Sequence, residues 1–221
     1  MITVPSVATP ALAGETLGVS SPNEQAILAA ALMQSRQTIL PKRLVAPGPD
    51  AEQLQQILGA AASAPDHGQL LPWRFVLVPD AARARLARVF ADALLERDAT
   101  ATPAQVEQAR EKAYRSPLLM LVVVDAQRGN PDIDLLERIV SAGCATQNVL
   151  LMATALGFGS ALTSGKALKA QGLRTLFGLT AADHALCFIS VGTVLAARPA
   201  RLRPSMGDYV HILAGGDSDG N

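Results

Sequence analysis

The chain has 221 residues, 49% of them apolar and 17% charged. That is material for the core of one large domain, and it excludes disorder along the whole length. Nineteen basic residues balance nineteen acidic ones and aromatics make up only 4%. The chain therefore lacks the overall charge of a general nucleic-acid binder and the stacking platforms a single strand would need. Cys144 and Cys187 exclude a disulfide scaffold and a four-cysteine zinc site; both lie in apolar stretches and read as buried thiols in a reducing compartment.

Residues 1–21 are rich in Pro, Gly, Ser, Thr and Ala, carry no Lys or Arg and show no period. They read as a flexible arm without the basic start of a secretory signal. With no run of about 18 uncharged apolar residues to cross a membrane, the expected compartment is the cytoplasm. Ser21-Pro22-Asn23-Glu24 has the order of a capping box with Pro at the first helical position, and predicts a helix over 22–35 with Ile27, Ala31 and Leu32 on one face. The Pro- and Gly-rich stretch up to Asp50 reads as an extended loop. Asp50 caps a helix over 51–63 with Leu54, Ile57, Leu58 and Ala61 at helical spacing. A polar loop, 64–72, leads into a strand over 73–78. Helices over 81–96 and 103–114 follow, then an unbroken apolar strand, 118–124, of the kind covered on both faces. The helix over 134–156 is apolar nearly all round from Ile139 onward, which fits a core or a subunit interface. A short strand or loop over 160–164, a helix over 166–177 and a strand over 186–194 complete the order. Residues 22–212 thus read as one α+β domain, and 213–221 as a flexible tail.

The familiar signatures of chemistry are missing. Leu162 stands where the third glycine of a dinucleotide fingerprint belongs, and there is no phosphate loop, HExxH or GxSxG. His67, His184 and His211 lack metal-ligand spacing. No catalytic side chain and no metal site is expected, so any chemistry would belong to a bound cofactor. Three polar clusters remain. Ser35-Arg36-Gln37-Thr38 offers a guanidinium fork and hydroxyls suited to a phosphate, though Arg36 alone also suits a helix C-terminus. The loop from Ser63 to Gln69 mixes side chains that a polar-edged ring would need, or forms a capped turn with Trp73 as core packing. Gly157 to Gly165 holds three glycines, which permit close backbone approach to a ligand or simply end a helix. Arg198, Arg201 and Arg203 follow as candidate anion contacts or a solvated basic segment.

In this order the blocks resemble the FMN-dependent nitroreductase family, in its branch of small bacterial NAD(P)H nitroreductases. Arg36-Gln37-Thr38 stands where the family has an Arg-Arg-Ser-like triplet at a helix end. Ala64-Pro65, Pro72-Trp73 and Phe75 match its APxxxxxxPWxF block, and Asp66-His67 is typical of the branch. Ser141-Ala142-Gly143-Cys144 begins a long helix segment running into Gly157-Phe158-Gly159 and on to Ser164-Gly165, and the last block is the strand ending Val191-Gly192-Thr193. The resemblance spans about residues 24–212.

It implies an α+β nitroreductase-like fold: a mixed, mainly antiparallel central sheet flanked by helices, with the long central helix at the interface of a homodimer that holds FMN between its chains. It also assigns residues. Arg36, Gln37 and Thr38 correspond to the phosphate and ribityl contacts, and Ser63 and His67 to two further FMN contacts. Gln69 stands where many relatives have Asn near the flavin ring. Leu162, Thr163 and Ser164 match a flavin-contacting segment, with Leu162-Thr163 in place of the branch's Trp-Arg, and Arg203 is a phosphate candidate. The implied activity is an oxidoreductase that takes hydride from NAD(P)H and reduces a nitroaromatic, quinone or similar small molecule by a ping-pong mechanism. The replaced Trp and Arg leave a dimeric flavin-binding or flavin-sensing protein with little nicotinamide-driven turnover as the alternative.

Overall fold

The computed structural model describes residues 21–196 and 202–213. The expected arm, the expected tail (Ser21 and Leu213 apart), Arg198 and Arg201 lie outside the described residues.

Reciprocal capping boxes start three of the helices. Ser21 and Glu24 exchange backbone-to-side-chain hydrogen bonds at the start of α1 (Pro22–Ser35), Asp50 and Gln53 at α2 (Ala51–Gly59), and Thr102 and Gln105 at α4 (Pro103–Glu111). A 3-10 turn, Ala60–Ser63, prolongs α2 to the predicted end. The remaining helices are α3 (Asp80–Leu95), α5 (Leu135–Ala155) and α6 (Gln171–Phe177). The single helix expected over 166–177 is divided: Lys166–Lys169 is a 3-10 turn, and extended backbone at Ala170 separates it from α6.

The strands are β1 (Leu44–Val45), β2 (Trp73–Leu77), β3 (Leu118–Asp125), β4 (Gly159–Thr163) and β5 (Asp183–Val194). All their pairings are antiparallel, in the order β2-β3-β5, with β4 and then β1 sharing the outer edge of β5. One parallel bridge, Thr38 to Ser160, ties the segment after α1 to β4. The two-residue β1 lies inside the stretch read as loop; between Pro41 and Pro47 it is too short to show a period. β5 starts three residues before its predicted beginning, because a bulge lets Asp183–Ala185 continue the ladder against Val123–Asp125.

Alternation along β3 divides the core in two. Met120, Val122 and Val124 face α2 and α5, where Ile57, Ala61, Ala142, Ala145, Val149, Ile189 and Val191 also pack. Leu119, Leu121 and Val123 face the opposite layer, with Leu86, Ala113, Leu173 and Phe188. The continuous apolar run is therefore a strand buried on both faces, as read from the sequence. α1 departs from this pattern. None of its residues is buried, and Ile27, Leu28 and Met33 are more than half exposed. Outward-facing residues of α5, Leu136 (71% exposed), Val140 (65%), Gly143 and Gln147, recur at steps of four, three and four and continue this uncovered surface.

Candidate functional site

A cleft of about 190 Å³ opens where three elements meet. Arg36 and Thr38 come from the extended segment that leaves α1, Gln147 and Leu150 from α5, and Ser160, Ala161 and Leu162 from β4. The parallel bridge and a 2.9 Å hydrogen bond from Ile39 N–H to the Ser160 carbonyl hold the first segment against β4. Among the described residues no carboxylate pairs with Arg36, and no lining residue is acidic. The lining thus offers a guanidinium, two hydroxyls and an amide beside aliphatic surface, a donor-rich set suited to oxygen-rich anionic groups.

Three of the candidate residues, Arg36, Thr38 and Leu162, line this cleft. Gln37 is half-buried between the first two, and Thr163 and Ser164 continue exposed from Leu162. Arg203 reaches the same neighbourhood by another route: its Nη2 donates to the carbonyls of Arg36 (2.8 Å) and Gln34 (3.3 Å). The favourable cation at the end of α1 is therefore Arg203, while the Arg36 side chain turns to the cleft.

Ser63, His67 and Gln69 are not brought to this cleft. His67 Nδ1 lies 2.7 Å from Glu137 Oε2, in the first turn of α5. Ten positions separate Glu137 from the cleft residue Gln147, about 15 Å along the helix axis. The loop around His67 is held firmly. Asp66 Oδ2 accepts from the Leu71 N–H at 2.6 Å, and Trp73 Nε1 donates to the Ser141 hydroxyl at 3.0 Å. Gln69 (φ 53°) and Leu71 (φ 48°) both occupy the left-handed region, which non-glycine residues rarely adopt. Strain of this kind persists where the surroundings over-determine it, and it clusters at ligand-binding segments.

Two glycines serve the fold rather than a ligand. Gly157 (φ 83°) ends α5, and a Cβ at Gly159 would run into Val194, Leu44 and Ile39. The cysteines are free and half-buried rather than fully buried; burial raises the Cys187 thiol to about 11, so it stays protonated at neutral pH.

Sequence reasoning missed four lining residues: Gln147, Leu150, Ser160 and Ala161. For the first there was a signal, since Thr146-Gln147-Asn148 is a polar interruption of an otherwise apolar helix. Ser160 and Ala161 lay inside the glycine-rich stretch singled out for close backbone approach, but nothing in the sequence paired Ser160 with Arg36; the bridge to Thr38 does that.

The nitroreductase family model matches residues 34–193. The chain belongs to the nitroreductase family, as its sequence blocks implied. A protein of Haemophilus influenzae provisionally named NAD(P)H nitroreductase is 34% identical over 152 residues, 69% of this chain and 82% of that protein. Among solved structures, the nitroreductase-like family protein from Bacillus cereus superposes with a TM-score of 0.70 at 18% identity, over 84% of this chain and 96% of its own. The NADPH:FMN oxidoreductase from Vibrio harveyi, solved with NAD+, gives 0.64 at 22% identity, over 84% and 77%. Both structures share the fold read from the sequence.

Proposed function

We propose that the chain is an FMN-dependent oxidoreductase that works as a homodimer, taking hydride from NADH or NADPH and reducing a nitroaromatic, quinone or similar acceptor. One observation carries the reading: the donor-rich cleft opens beside an apolar helix face that one chain leaves uncovered. At about 190 Å³ the cleft is smaller than the roughly 300–1,000 Å³ that small-molecule sites occupy, so a single chain supplies only part of a site. Packing α5 against a second copy about a two-fold axis near Gly143 covers Leu136 and Val140. It also sets the Glu137 end of one helix beside the Gln147 end of the other. His67 of the partner subunit then approaches the cleft, which reunites the two groups of candidate residues that lie apart in one chain.

The residues present fit FMN. Arg36 and Thr38 would hold the phosphate and ribityl arm, with Gln37 and Arg203 beside them. Leu162, Thr163 and Ser164 would border the flavin from one chain, and Ser63, His67 and Gln69 from the other. The chemistry FMN supplies when bound is acceptance of hydride from a nicotinamide and its delivery to a second substrate. The protein's task is to bind, orient and exclude water, and no side-chain acid or base is needed for hydride transfer itself. Pyridine product and acceptor share one pocket, which requires ping-pong kinetics.

Steady-state rates of the FMN-loaded protein test this. NADH or NADPH varied against a quinone at several fixed concentrations should give parallel double-reciprocal lines. Converging lines would refute the shared pocket. Tight FMN binding with negligible oxidation of both nicotinamides would move the reading to a flavin-binding or sensing protein.

A further inference from the structure

The wall of the cleft contains a polar atom with no partner. Ser160 is 1% exposed, and its hydroxyl makes no hydrogen bond among the described residues. The backbone of Ser160 is already engaged, since its carbonyl accepts from Ile39 N–H. The side chain is what remains. In the ladder Ser160 lies opposite Val191 and Leu162 opposite Ile189. Directly opposed residues share a face, and Ile189 and Val191 belong to the core layer that packs against α5. The hydroxyl therefore points to the α5 side of β4, the side of the cleft on which Gln147 and Leu150 stand. A buried hydroxyl without a partner destabilises the chain that carries it, and alanine, as at the next position of β4, would avoid that cost.

We propose that Ser160 is a further ligand-binding residue, its hydroxyl donating a hydrogen bond to an oxygen of the ribityl-phosphate arm of FMN, next to Arg36 and Thr38. The inference rests on the FMN reading above. It adds a contact from β4 to a subsite otherwise assigned to the segment after α1, and it gives the Ser160 hydroxyl the partner it lacks among the described residues.

Ser160→Ala tests it through binding alone, by flavin fluorescence titration in the dark and without nicotinamide. Lumiflavin is the control ligand, because it keeps the ring system and lacks the ribityl-phosphate arm. The variant should unfold at or above the wild-type temperature when unliganded. Its Kd for FMN should rise about three- to tenfold, the usual worth of one hydrogen bond, and its Kd for lumiflavin should not change. An unchanged Kd for FMN would overturn the proposal, as would an equal loss for both ligands. Wild-type protein that binds no FMN would overturn the flavin reading with it, whereas wild-type binding that survives the substitution refutes only the role of Ser160. If the alanine variant fails to fold, Ser160→Cys, close in shape and a weak donor, must show the same selective loss.

Discussion

Arg36 has two properties that separate a ligand-binding arginine from a structural one: it faces a cleft, and among the described residues no carboxylate neutralises it. A charge-assisted hydrogen bond is worth about 1.5–3 kcal/mol, or roughly 10- to 100-fold in affinity. Arg36→Ala should therefore weaken FMN binding by about that factor and leave riboflavin, which has no phosphate, nearly unaffected, as a pair of fluorescence titrations would show. Arg138 is the opposite case. It is 1% exposed, and its guanidinium donates to the carbonyls of Ile133, Asp125, Arg128 and Asn130, closing the loop between β3 and α5. Arg138→Ala leaves several carbonyls unpaired at once and should cost about 3–5 kcal/mol in denaturant unfolding. Asp183 contributes a pH dependence. Burial pushes its carboxyl up, but hydrogen bonds from Arg74 and from the backbone and hydroxyl of Thr180 outweigh this and hold it down at about 2. Its folded value lies below its unfolded one, so its contribution is complete at neutral pH and is lost as pH falls from about 4 toward 2. Asp183→Asn should cost about 1–3 kcal/mol at pH 7, and the gap to wild type should close in unfolding curves taken at progressively lower pH. Arg36 was legible in the sequence because it follows a capped helix and is the first basic residue of the chain. Arg138, inside a helix read as apolar from the next residue onward, gave no sign of its role, since its partners are backbone carbonyls that only the folded loop assembles.

Helix starts were the most legible elements, because capping is a local code: the Ser21–Glu24 box and the Asp50 cap sit where the sequence places them, and Gln53 completes a second box that sequence reasoning missed. β3 was legible for a different reason, since eight residues from Leu118 to Asp125 with no polar interruption before the last fit only a strand covered on both faces. β1 was not, since its two residues draw their order from Thr193 and Val194, far away in sequence. The outward faces of α1 and α5 were half legible. For α1 the sequence showed an apolar face of Ile27, Ala31 and Leu32, none of them buried in the structure; for α5 it left core and interface open, and Val140 stands uncovered among the described residues. Val140 is 65% exposed, so Val140→Asp should leave the fold of one chain intact. A charge in the middle of the proposed α5 contact should nonetheless shift the sedimentation coefficient from dimer to monomer and weaken FMN binding more than tenfold. A dimer that survives the substitution with full FMN affinity would show that α5 does not form the contact.

For the whole molecule, three layers of helix, sheet and helix place a donor-rich cleft at an edge of the sheet, against a face of α5 that the described residues leave open. The candidate residues fall into two groups because one chain holds them about 15 Å apart along α5. Sequence order could not reveal that division: Arg36 and His67 are closer in the chain than Arg36 and Leu162, yet the second pair shares the cleft. On the proposed function, each site needs two chains and a flavin that a nicotinamide can reach. The most direct test is an anaerobic visible spectrum of the FMN-reconstituted protein before and after one equivalent of NADH or NADPH. Nicotinamide-driven turnover requires flavin bands that bleach on mixing with one of the two and return when a quinone is added. Bound flavin whose bands persist with both nicotinamides would contradict it.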